Sequence, residues 1–277
     1  MSSKKDDSES NDTQWSDELK KAKRTFNFKA LATKLLKESE ESHSKFESLT
    51  KIVSEICKPV SSDTGGIHQK DLLKTNIHVE ILDVLKRKYG DKECPYAYRA
   101  LGCLCWMNED AGKKIRESGF IQILDKSIRQ FSDSASLISE AGFALCGCCD
   151  GNQESVEKFN AERSDGEKRG MDIFLDAVKK HPKNAELAAN ICLSIGTMAD
   201  DLNNAKLLLM DDKAKRWKTL ISVFKNYRNH VDAITWCSYA IMNSMSQIPV
   251  AAERSKCIRH FVELVPDMWT VIHDLKS

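Results

Sequence analysis

Ten cysteines and seven histidines are the side chains of this 277-residue chain best suited to metal or nucleophile chemistry. Five of the thiols fall in two tight groups, Cys103 with Cys105, and Cys146 with Cys148 and Cys149. A thiolate cluster could hold zinc tetrahedrally. The spacing argues against it. Zinc knuckles set about two residues between ligands in a turn, whereas these cysteines sit inside helical patterns, where neighbours one and two apart face different ways. Cysteine is also a small apolar residue that suits tight helix crossings, so packing is the preferred reading, and no metal and no cofactor are expected. His43, His68, His78, His181, His230, His260 and His273 are scattered, mostly at helix edges or beside prolines and polar runs. Nothing resembles a Walker loop, a dinucleotide fingerprint, a nucleophile elbow or a zinc-protease helix. Gly65-Gly66 lies in a turn with no strand before it. A cysteine paired with a distant histidine leaves no spacing signature, so a Cys-dependent enzyme stays as the alternative to a non-catalytic protein with no catalytic residues.

The elements that carry these residues repeat. A small-and-leucine helix, a short polar turn, a polar helix, then a glycine before an apolar helix make up Arg99 to Phe131, RALGCLCWMNEDAGKKIRESGFIQILDKSIRQF. Shifting by 44 places Ala97 on Ala141, Leu101 on Leu145, Asn108 on Asn152 and Ile115 on Phe159. Apolar, polar and turn positions therefore agree at once, as in stacked helical units that cannot bury an apolar face alone. Further small-residue helices run from Leu187 to Ala199 and from Val231 to Met245. Extra residues at 160–169 break the register and predict an exposed loop.

Composition agrees with this plan. Five prolines and twelve glycines are few for the length and favour helices over turn-dense sheets. Lysine plus arginine number 42 against 41 acids, a net charge of +1, so there is no global field for nucleic acid or an anionic membrane, and neither is the expected partner. Basic runs at Lys20 to Arg24 with Lys29, and at Lys213, Lys215, Arg216 and Lys218 beside Trp217, read as wet helix faces. No stretch reaches the roughly 18 to 20 apolar residues of a membrane span, and MSSKKDDSESNDTQ has no apolar signal core. A cytoplasmic protein, with the nucleus as a second compartment, and reduced thiols are expected. The predicted organisation is a disordered tail at 1–14, an N-terminal helical region at 15–60, a linker turn at 61–70 and repeats with a C-terminal cap at 71–277.

This order of helices resembles the armadillo repeat family, on Gly119-Phe-Ile-Gln-Ile-Leu124, Gly170-Met-Asp-Ile-Phe174 and the helices bearing Ala100-Leu101, Ala144-Leu145 and Ala240-Ile241. The likeness covers about Asn76 to Met245. It implies an all-α, right-handed solenoid whose third helices line a concave groove for extended peptides. In that family an aromatic residue and an asparagine four positions later recur on the third helix, the amide fixing the guest backbone. The matching pairs here are Arg99 with Cys103, Phe143 with Gly147, Ile191 with Ile195 and Tyr239 with Asn243, and only the last keeps both. Without an asparagine ladder, the amides of a long guest go unpaired at about 1 to 3 kcal/mol each. Nor is the inferred groove visibly acidic, which argues against importin-style capture of a basic signal. The groove instead offers Arg99, Trp106, Phe143, Tyr239 and Asn243, the aromatic and arginine mixture that dominates interfaces. Packing of Trp106 and Phe143 between repeats is the competing reading. The expected function is a non-catalytic adaptor for a protein partner, with a chaperone regulator or exchange factor gripping a globular lobe as the second reading.

Overall fold

A computed structural model describes residues 42–58, 68–163, 166–211 and 213–261, with Ala30, Thr33 and Lys37 as separate helical positions. The expected tail at 1–14, the stretch 15–29 with its basic run, linker residues 61–67 and cap residues 262–277 lie outside the described residues. What is described is helical, with no strand among the described residues. In chain order the helices are α1 (His43–Cys57), α2 (Gln69–Leu73), α3 (Ile77–Val84, extended by a π-helical turn Leu85–Tyr89), α4 (Pro95–Cys105), α5 (Glu109–Glu117), α6 (Phe120–Gln130) and α7 (Ala135–Cys149). There follow α8 (Gln153–Phe159), α9 (Gly170–Lys180), α10 (Ala185–Met198), α11 (Leu202–Leu209), α12 (Trp217–Asn226), α13 (Val231–Gln247) and α14 (Ala251–Phe261). Gln69 and Lys70, the end of the expected linker, already belong to α2.

Side-chain caps punctuate the repeat. Asn108, Asn152 and Asp201 accept from the amides of Ala111, Ser155 and Asn204 at the starts of α5, α8 and α11. Ser134, Asn184 and His230 do the same for Leu137, Leu187 and Ala233 at α7, α10 and α13. Each satisfies one otherwise orphaned helix-start donor and stabilises by about 1 kcal/mol. The polar and apolar helices of one unit join through Gly119, whose φ of 87° suits a residue without Cβ.

The long third helices carry the main packing in serial order: α1 on α4, α4 on α7, α7 on α10 and α10 on α13. Small residues set the spacing. A Cβ added at Gly147 of α7 would stand 2.7 Å from the Gly102 carbonyl oxygen of α4, so these two backbones meet directly. Gly196 of α10 likewise lies under the ring of Tyr239 from α13. Around these crossings Leu101, Leu104, Ile138, Leu145, Ile191 and Ile195 are fully buried in a single apolar cluster. The Tyr98 hydroxyl inside it donates to Ser127 Oγ at 2.6 Å, so this buried polar group is satisfied. Side chains also close the ends of the third helices. Gln69 Nε2 donates to the carbonyls of Cys103 and Trp106 at 2.8 and 2.7 Å, and Arg116 donates to that of Cys148 at 2.5 Å. No described helix is long and apolar enough to cross a membrane.

The 160–169 insertion is exposed at Ala161, Glu162 and Gly166 to Lys168 but tied down at its ends. Asn160 is buried, donates to Asn204 Oδ1 and accepts from the Met171 amide, while Arg163 bonds Asp125. The basic run at 213–218 needs correction at one position. Arg216 is only 8% exposed and is held by Asp172 at 2.6 Å and Asp211 at 2.7 Å, so it is a structural tie and not part of a wet face.

Candidate functional site

Where α4 ends and α5 begins, an open cleft of about 440 Å³ runs across the third helices. Its walls include Trp106, Met107 and Glu109 on one side and Trp236 and Tyr239 of α13 on the other, with Gly147, Asp150, Leu193 and Thr197 between them. Four consecutive units therefore contribute. Trp236 and Tyr239 meet edge to face with ring centroids 6.1 Å apart. Both stay half-buried, as does Trp106, so their faces remain partly open to a ligand.

The sequence-predicted residues divide among different tasks. Trp106 and Tyr239 line the cleft. Phe143 lies beneath, stacked on Trp106 at 5.5 Å with 16° between the rings, and packs against Gly102. For Phe143 the packing alternative therefore describes the contacts, whereas Trp106 both packs and faces the opening. Asn243 donates to the Gly196 carbonyl at 2.9 Å and to Asp200 Oδ1 at 2.5 Å, holding α13 to the end of α10. Arg99 stands apart, bonded to Glu140 at 2.7 Å and Glu186 at 3.4 Å, and so joins α4, α7 and α10. Burial pushes the Glu140 carboxyl up to about 7 against the pull of Arg99. Arg99 itself stays charged, raised by Glu140 in spite of its own burial. The Arg99–Glu140 contact is a good hydrogen bond in either state of the acid.

The cleft is acidic, which corrects the expectation from sequence. Asp150 and Glu109 line it, and Asp200 lies next to Asp150. Burial, then Asp200 and Glu109, push the Asp150 carboxyl up. The Tyr239 phenol is pushed up to about 12, first by burial and then by Asp200, Cys146 and Asp150. Asp150 and Asp200 thus repel each other and share a negative potential that a cation would relieve. Sequence reading missed them because each closes a different unit. The signal was available: each sits just past the end of a small-residue helix, 16 residues after that helix's cap, Ser134 or Asn184.

The cysteines are all free and buried. Cys148 Sγ lies 3.4 Å from Cys105 Sγ across the α4–α7 crossing, and Thr197 Oγ1 donates to Cys146 Sγ at 3.2 Å. Burial pushes the Cys103 and Cys146 thiols up to about 12, with Cys148 and Cys149 displaced the same way. These are packed, protonated thiols, the opposite of an activated nucleophile. Among the described residues one trio of mixed donors converges, and it lies outside the cysteine-rich crossings. His43, Glu47 and Cys94 bring a ring nitrogen, a carboxylate oxygen and a sulfur within 4.8 Å of one another. Burial raises the Glu47 carboxyl to about 7, with the Tyr96 amide and the Cys94 thiol as weaker, opposing influences. Cys94 is also pushed up, by burial and then by Glu47, which disfavours a Cys94–His43 nucleophile pair. The i, i+4 spacing of His43 and Glu47 was readable in sequence, whereas the partner 51 residues away was not.

An engineered protein whose crystal structure was solved by a structural genomics consortium is similar to this chain, with a TM-score of 0.58 at 13% identity, over 87% of this chain and 92% of that one. At that identity the likeness bears on the fold alone. No family model and no curated protein matches the chain.

Proposed function

We propose that this protein is a non-catalytic, armadillo-like adaptor, a right-handed α-solenoid that captures a basic segment of a protein partner in the Trp106–Tyr239 cleft. The observation that carries the reading is the coincidence of three half-open aromatic rings with the mutually repelling Asp150 and Asp200. A lysine or arginine set over such rings gains about 0.5 to 2 kcal/mol from the ring quadrupole, and the carboxylates add attraction that salt screens. The serial packing of α1, α4, α7, α10 and α13 supports the solenoid, because each third helix meets the next in chain order. The packed, protonated cysteines favour a binding role over a thiol enzyme and suit a reducing compartment, cytoplasm or nucleus.

Fluorescence anisotropy with labelled peptides tests the proposal. An arginine- and lysine-containing peptide should bind and should weaken as ionic strength rises, while its glutamate-substituted counterpart should not bind. Equal binding of the two peptides, or binding indifferent to salt, would refute capture of a basic segment.

A further inference from the structure

We propose that His43, Glu47 and Cys94 form a zinc site that clasps α1 to the entry of α4. His43 and Glu47 occupy successive turns on one face of α1, and Cys94 is the residue before Pro95, at the start of α4. His43 Nε2 lies 3.4 Å from Cys94 Sγ. Ligands bound tetrahedrally at about 2.0 to 2.3 Å from zinc stand about 3.3 to 3.6 Å from each other. The nitrogen–sulfur edge therefore already has the length the metal needs, and the carboxylate, within 4.8 Å of both, closes on it by a small side-chain rotation.

A second observation points the same way. Glu47 Oε1 is buried with no hydrogen-bond partner, although the Tyr96 amide and the Cys94 thiol reach the same carboxyl group. Mixed nitrogen, oxygen and sulfur donors select zinc over magnesium or calcium, which take oxygen ligands. The charges also close: a thiolate and a carboxylate cancel the two positive charges of the ion, and the imidazole binds neutral. On binding, the Cys94 thiol proton leaves to solvent and the His43 proton resides on Nδ1, so Nε2 gives up its 3.1 Å contact with the Glu93 carbonyl. The Tyr89 ring, edge-on to His43 with centroids 5.2 Å apart, holds the imidazole in place. His43 and Glu47 are only half-buried, which leaves the fourth position to a water.

Among the described residues α1 has α4 as its main neighbour. A metal bond between residues 51 apart would tie the two helices together by closing a long stretch of chain.

Chelator-stripped full-length protein should take up one equivalent of zinc in a competition titration, and its cobalt form should show thiolate-to-cobalt charge-transfer absorption. His43→Gln and Glu47→Gln should each weaken zinc binding on the order of 100-fold. Cys94→Ser should remove the charge-transfer band, while Cys257→Ser keeps it. Failure to take up one equivalent, or a charge-transfer band that survives Cys94→Ser, would overturn the assignment.

Discussion

The turn at residues 106–108, after α4, and the turn at 150–152, after α7, share one backbone and carry different side chains. Trp106 has φ −54° and ψ 118°, and Asp150 has φ −54° and ψ 129°. Next, Met107 and Gly151 both take left-handed conformations, at φ 57° and 67°. Asn108 and Asn152 then cap the following helices in the same way. Glycine is what this conformation favours, and an ordinary side chain there costs about 1 kcal/mol. Met107 accepts that strain and is 65% exposed, so its side chain adds little packing in return. Positions that repeat hold the stack together, while those that depart from the repeat on an unchanged backbone build the cleft. Strain retained at an exposed residue is a common mark of a working site.

The comparison can be broken first at the crossing of α4 and α7, which holds the stack together. Gly147→Ala forces a Cβ against the Gly102 carbonyl and should destabilise by about 3 kcal/mol, read as a lowered denaturant midpoint. A change of less than about 0.5 kcal/mol would mean that α4 and α7 do not meet there. Exchanging the departing residues should have smaller, opposite effects. Met107→Gly should stabilise by about 1 kcal/mol and Gly151→Met should destabilise by a similar amount, by thermal unfolding, with Met107→Gly also weakening peptide binding a few-fold.

Acid sharpens the contrast between stability and capture. The Asp150 carboxyl is raised in the folded protein, so its repulsion from Asp200 and Glu109 is absent at low pH and grows as pH rises through its folded value. On acidification this residue therefore favours the fold while the cleft loses charge and grip. Capture should fall as pH falls through the raised Asp150 value while the Asp150 contribution to stability rises, and Asp150→Asn should flatten both trends. Identical acid profiles of stability and capture in wild type and Asp150→Asn would contradict this sign.

Much of the scaffold was legible because it depends on local pattern. The 44-residue shift paired Leu101 with Leu145, both fully buried, and Asn108 with Asn152, both caps. Trp106 and Tyr239 were readable as candidates because aromatic side chains on small-residue helices stand out, and both line the cleft. Arg99 was readable as a residue of interest, but its partners Glu140 and Glu186 come from the next two units and were not. Arg216 looked like one more cation in a basic run until Asp172, 44 residues earlier, came beside it. The acidity of the cleft and the His43–Glu47–Cys94 trio share that origin. Each joins residues from separate units: the matching registers of Asp150 and Asp200 and the spacing of His43 and Glu47 were in the sequence, but the meeting of side chains across units was not.

Capture at the Trp106–Tyr239 cleft is tested most directly by titrating the basic peptide against wild type and the Trp106→Ala, Tyr239→Ala double variant, with circular dichroism to check folding. Loss of two aromatic faces should weaken binding by about 2 kcal/mol, roughly 30-fold, with helicity unchanged. A folded double variant that binds the peptide as tightly as wild type would contradict the account.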